Sequence, residues 1–365
     1  MGHSGQQRPV VQDKYSWEEP GAHEVADGVY RIPLPMPQDG LRAVSVYALV
    51  DAGQLVLIDG GWAVGNSVGV LEASLREIGF GLADISQVLV THSHRDHYTQ
   101  AVALRRLTGA HVRLGLGEQA SLCLTRQHLT HFPAGLMDRL VRHGAGAVVE
   151  QLRKGPQQPP LDAGDWADPD SWLSDGLVIE LSERSLTAVS TPGHTRGHMI
   201  FYDPEAKLMF SGDHILPHIT PSIGFEPDPA ASPLGDYMSS LEAMFGLEDC
   251  ALMPAHGASG GSSHARARAL LDHHDVRLAQ TLAAVKDGAC TGMEAAAALP
   301  WTSRQHSFAS LDPFNQMIAV NETIAHLDVL AARKQLTSQA GSAAIHYSLN
   351  TEHEPLNYRQ AGINT

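Results

Sequence analysis

The chain has 365 residues, 43 % of them hydrophobic and 18 % charged, the make-up of a folded protein with a large core and room for a smaller second unit. Its formal net charge of −15 argues against broad electrostatic capture of nucleic acid. Cys123, Cys250 and Cys290 are too few and scattered for a cysteine-rich metal site and fit a reducing cytoplasm, and no stretch has the length of a membrane span or the pattern of an export signal.

Residues 1–22 read as a polar extension. Gly28–Ile32, Ser45–Val50 and Leu55–Ile58 read as strands, the last two joined by the hairpin signal Asp51-Ala52-Gly53. Asp59-Gly60-Gly61 breaks the strand, and a helix follows over about 64–78, with Val68, Leu71, Leu75 and Ile78 at helical spacing. Ile85–Val90 is a short apolar run, as in a strand buried on both faces. A helix over Tyr98–Leu107 and a strand over 112–114 come next. Residues 118–153 read as a largely helical insertion, and 155–175, rich in Pro, Asp and Trp, as an irregular loop. Strands resume at 177–179, 186–189, 199–202 and 208–210, then a helix over about 233–245 and a strand at 251–253. Beyond Gly261 helices dominate (265–286, 292–299, 313–336), and 337–365 reads as a mobile polar tail. Strands alternating with helices twice over suggest two sheets sandwiched between helices.

The chemistry is concentrated at strand ends. Thr91-His92-Ser93-His94-Arg95-Asp96-His97 directly follows the apolar run and offers three imidazoles and a carboxylate, the usual donors to zinc and similar cations. The reading is a loop that turns all four towards one point. Thr191-Pro192-Gly193-His194-Thr195, Ser211-Gly212-Asp213 and Pro254-Ala255-His256-Gly257 each place one further donor in a turn beyond a strand, with Gly or Pro to allow the bend. Of the 21 histidines, others such as His23, His111, His128, His131, His143 and His346 are dispersed, and His273-His274 reads as a solvated helix face. His214, His218 and His264 lie near the site loops and are read either as pocket-lining or as surface residues.

The series Asp59, His92-x-His94-x-Asp96-His97, His194, Asp213 and His256 resembles the metallo-β-lactamase superfamily, over about residues 25–257. That resemblance implies an α/β fold, a four-layer αββα sandwich, in a catalytic domain spanning 23–261. It implies two divalent metal ions, zinc in the first place with iron or manganese as alternatives. His92, His94 and His194 would bind one ion and Asp96, His97 and His256 the other, with Asp213 bridging them. Asp59 would orient the ligand loop from behind, and His198, in Gly197-His198-Met199, would support the site without binding metal. By the same resemblance a metal-bridged hydroxide is the nucleophile, and Asp96 orients it or moves a proton. No Gly-x-Ser-x-Gly elbow competes with this reading.

The segment 212–221, with the C-terminal helices and Thr323–Leu330, resembles a branch of that superfamily with a C-terminal winged-helix-like domain, here 262–336. Members of that branch include acyl-thioester hydrolases and single-stranded RNA endonucleases. Residues 262–336 mix Arg266, Arg268, Arg277, Lys286, Arg304, Arg333 and Lys334 with acids and show no basic stripe, which disfavours nucleic acid as partner. Apolar residues of the insertion (Leu122, Leu124, Leu129, Phe132, Leu136, Met137, Leu140, Val141) are read as one wall of a small-molecule acyl pocket or a homodimer face, bordered by Trp166 and Trp172. The expectation is a cytoplasmic hydrolase of an ester-like acyl bond, a thioester first and a lactone second. An RNA endonuclease and a metal-binding regulatory protein are the alternatives.

Overall fold

In the computed structural model, which describes residues 16–37, 40–129, 132, 134–155, 161–301 and 306–351, two sheets face each other. The first contains β1 (His23–Ala26), β2 (Val29–Pro35), β3 (Ala43–Asp51) and β4 (Gln54–Ile58); helix α1 (Ser67–Glu77) then leads to β5 (Ile85–Val90). Helix α2 (Arg95–Thr108) and β6 (His111–Gly115) follow, and after helices α3 (Gln119–His128), α4 (Ala134–Arg142) and α5 (Gly146–Lys154) comes β7 (Ser171–Leu173). The strands lie in chain order across the sheet, antiparallel from β1 to β4 and parallel from β4 to β7.

The second sheet is built from β8 (Leu177–Glu180), β9 (Ser185–Ser190), β10 (Met199–Asp203), β11 (Leu208–Gly212) and, after helix α6 (Pro233–Ala243), β12 (Ala251–Pro254). Helices α7 (Ser263–Lys286), α8 (Gly292–Ala298) and α9 (Pro313–Ala332) and a hairpin of β13 (Leu336–Ala340) and β14 (Ile345–Leu349) complete the described chain.

Period-two alternation explains why the strands read as nearly continuous apolar runs. Tyr47, Leu49, Val56, Ile58 and Leu89 point between the sheets, where they meet Phe201, Phe210 and Met253. Their neighbours Val46, Ala48, Leu55, Leu57 and Val88 point outward beneath α1 and α2. Ile200, Met209 and Leu252 carry α6, α7 and α9 on the opposite outer face. The result is the expected αββα sandwich.

Several expectations need correction. The 155–175 loop contains β7, which extends the first sheet beside β6. Trp166 and Trp172 pack on that sheet's outer face, not on a cleft. The insertion is mostly core: Leu136, Met137, Leu140, Val148 and Val149 share a cluster with Ala296, Leu299, Met317 and Ile324 of the C-terminal helices, and Leu122 packs on the first sheet. Val141, by contrast, is exposed.

The tail is structured as far as the hairpin, because Leu336 and Tyr347 are buried and the Tyr347 hydroxyl lies 3.3 Å from His143 Nδ1. His274 is no solvated residue; it is buried between α7 and α9, its Nδ1 3.2 Å from His326 Nε2, and burial pushes its pKa down to about 2. Helix α7 packs against α6, α8, α9 and β14, so more than one of its faces is covered. Residues 1–15 and 352–365, His131 and Arg304 lie outside the described residues. No helix among the described residues is long and apolar enough to cross a membrane.

Candidate metal centre

Every candidate ligand sits beyond the C-terminal end of a strand, at one edge of the sandwich. β4 delivers Asp59, β5 delivers the His92–His97 motif, β9 leads to His194, β11 to Asp213 and β12 to His256. The motif is not all loop. His94 is the N-cap of α2, so Asp96 and His97 stand on the helix's first turn, and only His92 and His94 precede it.

Two groups of donors form. His94 Nδ1 and His92 Nε2 lie 3.0 and 3.2 Å from His194 Nε2. Across from them, His256 Nε2 and His97 Nε2 lie 3.3 and 3.5 Å from Asp96 Oδ2. Asp213 stands between, with Oδ2 3.5 Å from His194 Nε2 and Oδ1 3.4 Å from His256 Nε2 and 3.7 Å from His97 Nε2. One carboxylate thus addresses both groups with separate oxygens.

The outward ring nitrogens fix the inward ones. A carbonyl only accepts, so His94 Nε2 donates to Phe225 O (2.9 Å), His194 Nδ1 to Ser222 O (2.6 Å) and His256 Nδ1 to Ala43 O (2.8 Å). His97 Nδ1 donates to Asp59 Oδ2 at 2.9 Å. The Thr91 hydroxyl donates to Asp59 and accepts from His92 Nδ1 at 3.0 Å. In their neutral forms all five imidazoles therefore turn a lone pair inward.

Buried His97 Nε2, His256 Nε2 and Asp213 Oδ1 have no hydrogen-bond partner. Leaving such groups unpaired costs about 1–3 kcal/mol each, and a cation is what nitrogen lone pairs and carboxylates together accept. The donor set fits two divalent ions.

Electrostatics agree. Burial, then neighbouring imidazoles, hold His92 well below its ordinary pKa and His194 at about 3, so both rings are neutral. Burial opposes charge on His97, yet Asp59, Asp96 and Asp213 raise it well above the ordinary value; His256 is raised likewise by Asp213 and Asp96. Asp96, despite burial, is held well below the carboxylate range by the charge of His97. Three carboxylates around these rings call for positive charge.

Asp59 and His198 act from behind the ligands. Asp59, at a left-handed φ of 64°, accepts from Thr91 N–H at 2.8 Å and holds His97. His198 donates from Nδ1 to the Thr191 hydroxyl (2.8 Å) and accepts the Asp213 amide at Nε2 (3.2 Å). Gly212 allows this approach, with φ +50° and an added Cβ only 2.8 Å from His198 Nε2. His214 is buried edge-on against Tyr237, His218 is exposed, and His264 Nε2 meets the Met244 carbonyl.

Glu118 was missed by sequence reasoning. Fully buried, it accepts from the hydroxyls of Ser93 and Thr195, and so joins the loop of His92 and His94 to that of His194. Backbone meets backbone there: a Cβ on Gly197 would stand 2.2 Å from the Glu118 nitrogen. The only sequence signal was a glutamate among glycines after a strand.

The model for the metallo-beta-lactamase superfamily matches residues 39–256, well over half the chain and the whole ligand series from His92 to His256. The chain belongs to that superfamily. It is similar to a metallo-beta-lactamase family protein of Thermus thermophilus (28 % identity, TM-score 0.70, 89 % of this chain and 100 % of that one). A beta-lactamase domain protein of Burkholderia ambifaria gives 25 % identity and a TM-score of 0.77, over 93 % of this chain and 97 % of that one. Both likenesses reach past the sandwich into the C-terminal helices. Among curated proteins it is similar to an atrochrysone carboxyl ACP thioesterase of Aspergillus fumigatus, 27 % identical over 236 residues, 64 % of this chain. The match spans 42 % of that relative's length, less than half of it. Members of the superfamily are generally hydrolases, and the His and Asp groups here could hold metal ions.

Proposed function

We propose that the protein is a dinuclear metal-dependent hydrolase that cleaves an ester-like acyl bond, a thioester first and a lactone second. The observation that carries the dinuclear reading is Asp213, whose two oxygens face two separate donor groups. His92, His94 and His194 would hold one ion and Asp96, His97 and His256 the second. Zinc suits this nitrogen-rich set, with iron or manganese as alternatives. When bound, the ion pair supplies a water ionised near neutral pH and positive charge for the oxygen that becomes negative during attack.

The chain's own residues do the rest. Asp59 and the three carbonyls hold the imidazoles in the ligand tautomer. Asp96 is only slightly exposed, beside His256, and there it would orient the attacking water or move its proton. Access runs past His94, the one ligand imidazole that is not fully buried.

The thioester choice is supported by the named activity of the Aspergillus relative. The three free cysteines suit a reducing cytoplasm. Acyl-CoA thioesters, lactones, a chromogenic cephalosporin and single-stranded RNA, assayed in parallel on metal-loaded protein, test the reading. Turnover of an acyl substrate, lost in Asp96→Ala and His97→Ala, is the expected result. Cleavage of RNA alone, abolished by the same substitutions, would overturn it.

A further inference from the structure

An aromatic strip begins at the metal centre and ends in solvent. Phe225 lies in the loop between β11 and α6; its carbonyl holds His94, and its ring stands 6.3 Å from the His94 ring at 64°. Phe314, on the first turn of α9, meets Phe225 edge-on at 6.3 Å. Phe132, just ahead of α4, lies 6.4 Å beyond Phe314. Phe225 and Phe132 are half-buried, and Phe314 is 46 % exposed.

Phe314 is the only exposed Phe, Tyr or Trp among the described residues. Phe132 and Phe225 pack against the cluster that contains Leu136, Met317 and Val320, and Phe314 bridges the two from outside it. That cluster thus backs two of the three rings. Three separate segments, including the insertion and the C-terminal helices, converge to make these rings successive neighbours leading away from His94.

We propose that this strip binds the acyl part of the substrate, and that the acyl group is a flat aromatic one whose rings lie along Phe225 and Phe314 while its carbonyl reaches the ions. This rests on the acyl-hydrolase reading above. Edge and face contacts between rings favour a planar aromatic group over a flexible chain of equal area. The strip carries no charged side chain of its own, so it selects by shape and ring contact.

The test uses the full, metal-loaded chain and two carboxylic acids as probes, 2-naphthoate and octanoate, with dissociation constants from calorimetry in the wild type, Phe314→Ala and Phe225→Leu. Because Phe314 is exposed, Phe314→Ala should fold, and the exposed Leu107→Ala serves as a remote control. Naphthoate should bind about five- to tenfold more weakly to Phe314→Ala, as the loss of one ring contact implies, while octanoate changes less than about twofold. Equal loss for both acids, or no loss for naphthoate in either variant, overturns the proposal. Failure of the reaction reads differently: if no acyl ester or thioester is cleaved while naphthoate binding still depends on Phe314, the strip stands and the hydrolase assignment falls.

Discussion

Replacing Asp59 by Asn tests how the second ion site is held. The carboxylate accepts from Thr91 N–H at 2.8 Å, from the Thr91 hydroxyl and from His97 Nδ1 at 2.9 Å, and it is buried. An asparagine has one oxygen for these donors and an NH₂ that must face another. Turned one way, the NH₂ points at His97 Nδ1 and drives the ring to carry its hydrogen on Nε2, the atom that faces the ion. Turned the other way, it opposes the Thr91 amide.

The first arrangement sets a hydrogen against the ion, and the second leaves a buried donor unsatisfied at about 1–3 kcal/mol. The second ion should therefore bind about 10–100-fold more weakly, and the first, whose ligands do not touch Asp59, much less so. Asparagine tolerates the left-handed backbone at this position, so the change is confined to the side chain. Competition with a chromophoric chelator resolves the two affinities. Unchanged affinity for both ions would refute the tautomer argument, and equal loss at both would mean a general collapse of the loop.

Glu118→Ala should loosen the first site, since it strands two buried hydroxyls at up to about 1–3 kcal/mol each, while Glu118→Gln keeps an acceptor and loses less; ion affinity and melting temperature together read this. Gly197→Ala should destabilise the fold by about 1–3 kcal/mol through overpacking, seen in urea melts, because its Cβ meets the Glu118 backbone. Glu226 is raised to about 8, first by burial and then by Glu118. A raised carboxyl pKa contributes stability that is full below the ordinary value of 4.5 and is lost as pH climbs towards 8. Glu226→Gln should then melt with the wild type near pH 4.5 and above it at pH 8; a gap that widens towards acid would reverse the sign and reject the assignment.

The candidate ligands were legible because metal binding would fix residue types and place them beside the Gly and Pro of strand-end turns; the seven residues lie together at one edge of the sandwich. The sandwich followed from apolar runs too short for helices. What stayed hidden depends on contacts between distant segments. Nothing near Glu118 in sequence shows that Ser93 and Thr195 will close over it. His274 looks polar until α9 covers it. The start of α2 was placed too late because His97 reads as a loop ligand, although the helix supplies it. Strand β7 has three residues, too few to show alternation, and is held by its pairing with β6.

Asp213 would bridge two ions, and the metal-to-chain ratio measured by plasma mass spectrometry after loading and desalting tests that dinuclear centre most directly. We expect about two ions per chain in the wild type and about one in His256→Ala, whose first donor group is intact. A wild type that retains less than one ion after exposure to zinc, iron and manganese, or a His256→Ala variant that still retains two, would contradict it.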